Sequence, residues 1–458
     1  MSSTTATRNA IASRFEGLLG SACVVSEPAS LERYAIEGSV PGAVLLPEDA
    51  EQIASALRIA GEERWPVVPF GGGTHQHIGR VAEDADVVLS TERMNTIAAY
   101  DPGDLTIALA AGATVAQARA ACAQHRQLLP IEAGAGSTIG GAMAVAATGP
   151  LQCAFGGIRE FCIGVTFVTG DGLPGRGGGR VVKNVAGYDL MKLMIGSHGS
   201  LGVITSANFK LFPMPPVTAT FLCEFDSAAA LFRFRDGLVK SPMSPLCAEV
   251  ISPAAAEYLK ESEPRDPDSW SPNGALAPQT PWLLALRFAA SDRVLARLRH
   301  DLASFTSQEI RAHDENRFWG AVSQLEKHVL ARHPNAMFFQ VSLPISESAA
   351  MIEAAEASAT NFNFVAGVVG RATVGSFTVV FLPLAIDPPA VTQFAGAASD
   401  FRSRLSRAAS AVVVRCPREA KHHFDIWGST PTDIELMRKI KRALDPYSIL
   451  NRGRFFVE

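Results

Sequence analysis

Three consecutive glycines, Gly71, Gly72 and Gly73, follow Pro69 and Phe70 and run straight into Thr74-His75-Gln76-His77. A glycine triplet loses much conformational freedom on folding, and it suits a turn whose amide N–H groups must all face one object at close range. An anion such as a diphosphate is the object that fits. A second glycine patch, with Gly136, Ser137, Thr138, Gly140 and Gly141, lies in the stretch 133–150, where nearly every side chain is small. Such a stretch reads either as a close helix crossing or as a loop over which a ligand lies flat. A third patch occupies 196–202. Three separate patches in one half of the chain suit a long ligand better than a single nucleotide phosphate. The first is not a dinucleotide fingerprint of the G-x-G-x-x-G type, because Gln76 stands where the third glycine belongs, and no G-x-x-x-x-G-K-[ST] phosphate loop exists anywhere.

The elements that must hold these patches follow from periodicity. Apolar residues at 43–46, then Pro47, then Ile53, Leu57 and Ala60 at helical spacing, then an apolar run at 66–68, read as strand, helix, strand. A further strand is expected at 105–110, an Ala-rich helix at 114–126 and a strand around 164–172. A helix with Leu190, Leu193 and Met194 on one face comes next, then a β-branched strand before Pro213, Pro215 and Pro216. From 217 to about 420, strands such as TATFLCEF, WLLALRF, FFQVSL and SFTVVFLPL alternate with helices, as in a sheet covered on one side by helices. A polar, Pro-rich loop at 263–281 reads as a surface excursion, and a basic helix at 432–443 precedes a tail that returns to another domain. The expected division is an N-terminal arm and helix at 1–37, a first domain at 38–215, a cap at 216–420 and a returning segment at 421–458. No internal repeat is visible.

The 458 residues, 47% hydrophobic and 19% charged, make a globular protein of two or three domains. A net charge of −4 with dispersed Lys and Arg gives no field for DNA or RNA. The seven cysteines, at 23, 122, 153, 162, 223, 247 and 416, form no C-x-x-C pair. That speaks against an iron–sulfur cluster, a zinc site or a disulfide framework within this chain, and for a reducing, cytoplasmic setting with no metal. No apolar run is long enough to span a membrane, so membrane contact is expected only through partners, peripheral to the inner membrane.

The ordered series P-F-G-G-G-T (69–74), S-T-I-G-G-A-M-A (137–144), F-G-G-I-R-E (155–160), V-K-N-V-A-G-Y-D-L (182–190), G-S-H-G-S-L-G-V-I-T (196–205) and L-D-P…I-L-N-R-G (444–453) resembles the FAD-binding family of vanillyl-alcohol oxidase and p-cresol methylhydroxylase. Within that family it is similar to a flavin-binding subunit of bacterial glycolate oxidase. The resemblance implies an α+β protein with a two-lobed FAD-binding domain and an α/β cap built on an antiparallel sheet. It also implies an FAD-dependent oxidoreductase acting on a small 2-hydroxy acid. Its partners would be a second flavin subunit and an iron–sulfur subunit that takes the electrons onward.

By position, Pro69, Phe70, Gly71, Gly72, Gly73, Thr74 and His75 would wrap the FAD diphosphate. Gly136, Ser137, Thr138, Gly140 and Gly141 would lie along the diphosphate and ribityl chain, with Gly149 and Gly156 bounding that loop. Lys183 and Tyr188 would sit near the flavin, while Gly199, Ser200, Gly202, Val203 and Ile204 would hold the adenine end. Asn451 would come back toward the ring system. On local sequence alone, Tyr188 also reads as a helix-face residue, Lys183 as a solvated charge and Asn451 as a turn residue before Gly453.

Departures from the family pattern matter equally. His75 falls one place after the usual flavin-linking residue, so the FAD is expected to be non-covalent. His198 replaces a glutamate, and N-R-G at 451–453 replaces N-P-G. The H-x-G-D-G-N-x-H motif of related hydroxy-acid dehydrogenases is missing, and the corresponding stretch FVAGVVGR (364–371) keeps only glycines and Arg371. Arg371, His422 and His423 are the remaining candidates for substrate chemistry, against readings as a strand-end charge and a solvated pair. A non-catalytic flavin scaffold, or a stand-alone sugar or lactone oxidase, are the alternatives.

Overall fold

The computed structural model describes residues 5–82, 85–134, 136–180, 188–259, 280–384 and 389–455. They form two compact units. Unit 1 comprises Met1–Thr148, Gly156–Met214 and Ser429–Glu458, and unit 2 comprises Gly149–Phe155 and Pro215–Gly428.

Unit 1 has two lobes. In the first, the strands Val24–Val25, Ala43–Leu45, Val87–Ser90 and Val67–Phe70 lie side by side in that order, the last three mutually parallel. The crossover helix Ala50–Glu63 begins where Asp49 accepts the Gln52 amide at 2.8 Å. It ends at Arg64, which adopts the left-handed conformation, and it buries Ile53, Ala56, Leu57 and Ala60. The helix Thr5–Leu19 seats Ile11, Ala12 and Phe15 in that same core. The helix of the N-terminal segment is therefore tied in by its apolar face.

In the second lobe, Ile97–Asp101, Thr106–Ala110, Val203–Lys210, Cys162–Val168 and Pro174–Gly178 form an antiparallel sheet in that order. The helix Val115–Gln124 starts with a reciprocal cap: Gln117 N–H donates to Thr114 Oγ1 at 3.1 Å and Thr114 N–H to Gln117 Oε1 at 2.8 Å.

Unit 2 is one eight-stranded antiparallel sheet, in the order Thr306–Ile310, Thr218–Phe225, Trp282–Ala289, Cys247–Ile251, Phe364–Arg371, Ser376–Pro383, Met337–Ser342, Ser410–Arg415. Read along the chain, each half is a strand-helix-strand-strand-helix-strand unit. The helices are Ala228–Lys240 and Asp292–Leu302 in one half and Ser348–Asn361 and Val391–Arg404 in the other. The halves meet at Cys247–Ile251 and Phe364–Arg371, where Glu249 pairs with Arg371. The two halves thus repeat one topology without a visible repeat in the sequence. Alternating apolar residues satisfy both halves, so the two need share no side-chain identities.

The chain leaves unit 2 at Gly428 rather than near 420, because Ile426 is still bonded into that sheet. Val413 N–H donates to its carbonyl at 2.8 Å, and Arg402 reaches the carbonyls of Asp425 and Ile426 at 2.5 and 2.7 Å. The Pro-rich loop expected at 263–281 falls almost wholly outside the described residues. No helix among them is long and apolar enough to cross a membrane.

Candidate functional site

The strand Val67–Phe70 runs directly into the glycine triplet. The Phe70 ring sits in a core 5.3 Å from that of Tyr34, with its tip against the triplet: a Cβ at Gly73 would stand 2.7 Å from Phe70 Cζ. Among the described residues, no protein group accepts a hydrogen bond from the amides of Gly71, Gly72, Gly73, Thr74 or His75. Five successive donors without an acceptor are what an anion site requires.

The second patch closes on the first. A Cβ at Gly72 would overlap the Gly136 carbonyl, and one at Gly71 would overlap the Thr138 hydroxyl. Thr74 Oγ1 lies 2.9 Å from Ser137 Oγ and 2.9 Å from His75 Nδ1. The small-residue stretch resolves into a six-residue helix, Ile139–Ala144, capped by Thr138. Smallness at Gly140 serves packing, since a Cβ there would stand 2.9 Å from that of Ala111. The amides of Ile139, Gly140 and Gly141 are already engaged by the Ala113 and Ala111 carbonyls and Thr138 Oγ1. Gly140 and Gly141 therefore shape the wall, and the 71–75 loop carries the free donors.

The third patch and the tail meet the same strand. Val67 N–H donates to the Ile449 carbonyl at 2.8 Å, and Asn451 N–H to the Val67 carbonyl at 2.9 Å, so the tail adds an edge to Val67–Phe70. Asn451 Nδ2 donates to the His198 carbonyl at 2.5 Å, while its Oδ1 is buried without a donor. A Cβ at Gly199 would come within 2.9 Å of Asn451 Nδ2 and 3.3 Å of the Pro69 ring. Arg454, absent from the sequence reading, donates to Gln76 Oε1 at 2.8 Å and the Ile78 carbonyl at 2.7 Å, bracing the chain just beyond the triplet.

Desolvation first, then the Arg454 and His75 charges, push His198 down to about 4. Burial alone lowers His75. His198 is therefore neutral in the fold and protonated when unfolded below its ordinary value of about 6.5. Between pH 6.5 and 4 the unfolded chain binds the extra proton, so stability falls as pH falls across that window, by at most roughly 3 kcal/mol. Urea midpoints of the wild type should drop over that range, and His198→Asn, which also suits the left-handed backbone there (φ 51°), should flatten the drop. Parallel pH profiles for the two proteins would refute this origin.

The remaining candidates are more scattered. Val203 and Ile204 are buried ladder residues of the five-stranded sheet, and Gly202 packs under Val168 and Phe167. Ser200 is buried, and its hydroxyl donates to the Ser197 carbonyl at 2.7 Å. Gly156 begins the return to unit 1 with φ 72°, whereas Gly149 belongs to unit 2. Tyr188 is 92% exposed, and Lys183 lies outside the described residues. In unit 2, Arg371 is buried with Nε and Nη2 donating to the Ser376 carbonyl and hydroxyl at 3.0 and 3.1 Å, closing a hairpin. His422 and His423 end a 3₁₀ turn at the surface.

Comparison with known proteins agrees with this architecture. The family described as FAD binding domain matches residues 41–174, and that described as FAD linked oxidases, C-terminal domain, matches 214–401 and 427–455. Over 92% of this chain and 90% of the relative, it is 24% identical to glycolate oxidase subunit GlcD of Bacillus subtilis. It is 27% identical to D-2-hydroxyglutarate dehydrogenase of Xanthomonas citri over 94% and 93%. Identity rises to 33% with glycolate oxidase subunit GlcE of Escherichia coli, over 43% of this chain and 56% of that one. The fold matches that of p-cresol methylhydroxylase with a TM-score of 0.78 at 19% identity, covering 99% and 98% of the two chains. The free amides and the glycine walls fit the FAD that these families bind. With an FAD binding domain followed by the C-terminal domain of FAD linked oxidases, the chain is an FAD-dependent oxidoreductase.

Proposed function

We propose that this chain is the flavin-binding component of a 2-hydroxy-acid oxidising complex, with glycolate as substrate and glyoxylate as product. A second flavin subunit and an iron–sulfur subunit would be its partners, in the cytoplasm or at the inner membrane through those partners. The observation that carries the reading is the row of five free amides at 71–75, held against the 136–138 turn, in a chain similar along its length to hydroxy-acid dehydrogenases and glycolate oxidase subunits. FAD, when bound, supplies the two-electron acceptor for the hydride leaving the hydroxyl-bearing carbon.

The chain's own contribution begins with charge. The 71–75 amides would meet the diphosphate, while Thr74, Ser137 and Thr138 fix the loop that presents them. His75 Nδ1 is turned to Thr74 Oγ1, which supports a non-covalent flavin. The seven cysteines form no C-x-x-C pair, which supports an electron acceptor outside this chain. A second reading, a flavin-bearing scaffold without turnover, is favoured by the engagement of Arg371 in its hairpin and the surface position of His422 and His423.

Anaerobic titration decides between them. The isolated yellow chain is expected to keep its visible band with glycolate, D-lactate or D-2-hydroxyglutarate, and to bleach with glycolate once the partner subunits are added. Full activity of a complex whose copy of this chain is stripped of FAD would establish the scaffold. Bleaching by glycolate without partners would overturn the component reading.

A further inference from the structure

One buried ion pair in unit 1 has no part in the reading above. Lys441, on the helix Ile434–Leu444, and Asp445, at its end, are both buried, with Nζ 2.6 Å from Oδ2. Lys441 Nζ also donates to the Ser200 carbonyl at 2.9 Å and the Leu450 carbonyl at 3.1 Å. All three ammonium protons thus go to different segments: the helix end, the 196–202 loop and the tail. Asp445 completes the arrangement by accepting the amides of Ile449 at 3.2 Å and Leu450 at 2.9 Å. A Cβ at Gly170 would overlap the Asp445 carboxylate, and the Gly170 amide donates to the Leu444 carbonyl at 2.7 Å, so the pair is seated on the sheet lobe as well.

We propose that Lys441 and Asp445 form a latch that assembles the FAD site, acting as positioning residues whose closure and FAD binding favour each other. The latch sets the path of residues 449–451. That path fixes the outer edge of Val67–Phe70 through Val67, and the 196–202 loop through His198 and Ser200. The strand so held launches the free amides of the glycine triplet. Two charges withdrawn from water and satisfied on every side hold only in this one arrangement, since removing either partner leaves the other charged and buried. Whatever binds the docked state alone stabilises it, and docking in turn raises the affinity of what binds.

This inference rests on FAD being the cofactor, not on the substrate, so the glycolate titration can fail without touching it. FAD titration of the apoprotein tests it. Lys441→Met and Asp445→Asn should each weaken FAD binding at least tenfold. At saturating FAD they should also alter the visible circular dichroism of the bound flavin, which a merely less stable protein would leave as it is. Lys439→Met, which removes an exposed cation from the same helix, should change neither. Wild-type affinity and an unaltered flavin signal in Lys441→Met or Asp445→Asn would overturn the latch. Should those variants not fold, hydrogen exchange on the wild type decides. FAD should slow exchange at Leu450 and Asn451 at least tenfold, and equal rates with and without FAD would overturn the proposal.

Discussion

Gly72→Val is expected to purify colourless, with FAD affinity reduced at least a hundredfold, which is roughly 2.7 kcal/mol. The first atom added at this position overlaps the carbonyl of Gly136, a backbone group that no rotamer change can move aside. The triplet must therefore retreat from the 136–138 turn, and the amides of 71–75 lose their common direction. A side chain at this position would also enter the phosphate site that the triplet's amides define. The structure adds that the wall behind the loop is violated before any ligand arrives. His75→Ala makes the contrast, since it removes one bond to Thr74 Oγ1 and no wall. It should stay yellow with affinity within a few-fold of wild type, and acid precipitation of either the wild type or this variant should release the flavin to the supernatant. A yellow Gly72→Val protein would refute the loop assignment.

The second large effect is expected in unit 2. Arg235 is 2% exposed, and its Nη1 and Nη2 donate to the carbonyls of Ala372 and Ile345 at 2.6 and 2.9 Å, with Asp236 at 2.7 Å from Nε. Its guanidinium also lies 4.8 Å from the Phe232 ring centre. Arg235→Met fills much of the volume and strands the Ala372 carbonyl, at about 1–3 kcal/mol, while the Ile345 carbonyl keeps the Ser348 amide and hydroxyl. A loss of about 1–3 kcal/mol in unit 2 follows. Urea unfolding followed by tryptophan emission checks it, because Trp282, Trp319 and Trp427 all lie in that unit. FAD binding should be retained, since unit 1 has its own core. A loss below 1 kcal/mol would show that water or neighbouring side chains replace the guanidinium.

How much of this was legible depends on what each residue type can hide. Glycine hides little: the three patches and the strand before the first stand out in the amino-acid order, and the structure joins them. The apolar face of the helix Ala50–Glu63 was equally visible. The short strands Cys247–Ile251, Thr306–Ile310 and Ser410–Arg415 were not. Their identity comes from long-range pairing, with Glu249, Gln308 and Arg415 interrupting any clean alternation. Charged residues hid most. Lys441 sits among Arg438, Lys439 and Arg442 in a helix that reads as a solvated basic face, and only tertiary folding singles out one of them for burial. Arg235 and Arg454 are masked in the same way.

Residues 429–454 close unit 1 only after the chain has passed through all of unit 2. During translation, more than two hundred residues therefore separate the emergence of the strand at 203–210 from that of the tail that edges Val67–Phe70. At about 5–20 residues per second that interval is on the order of 10–40 s. Through it the nascent chain carries an unfinished nucleotide pocket on the ribosome, and flavin loading becomes a late event of biogenesis that waits for residues 449–451 to emerge.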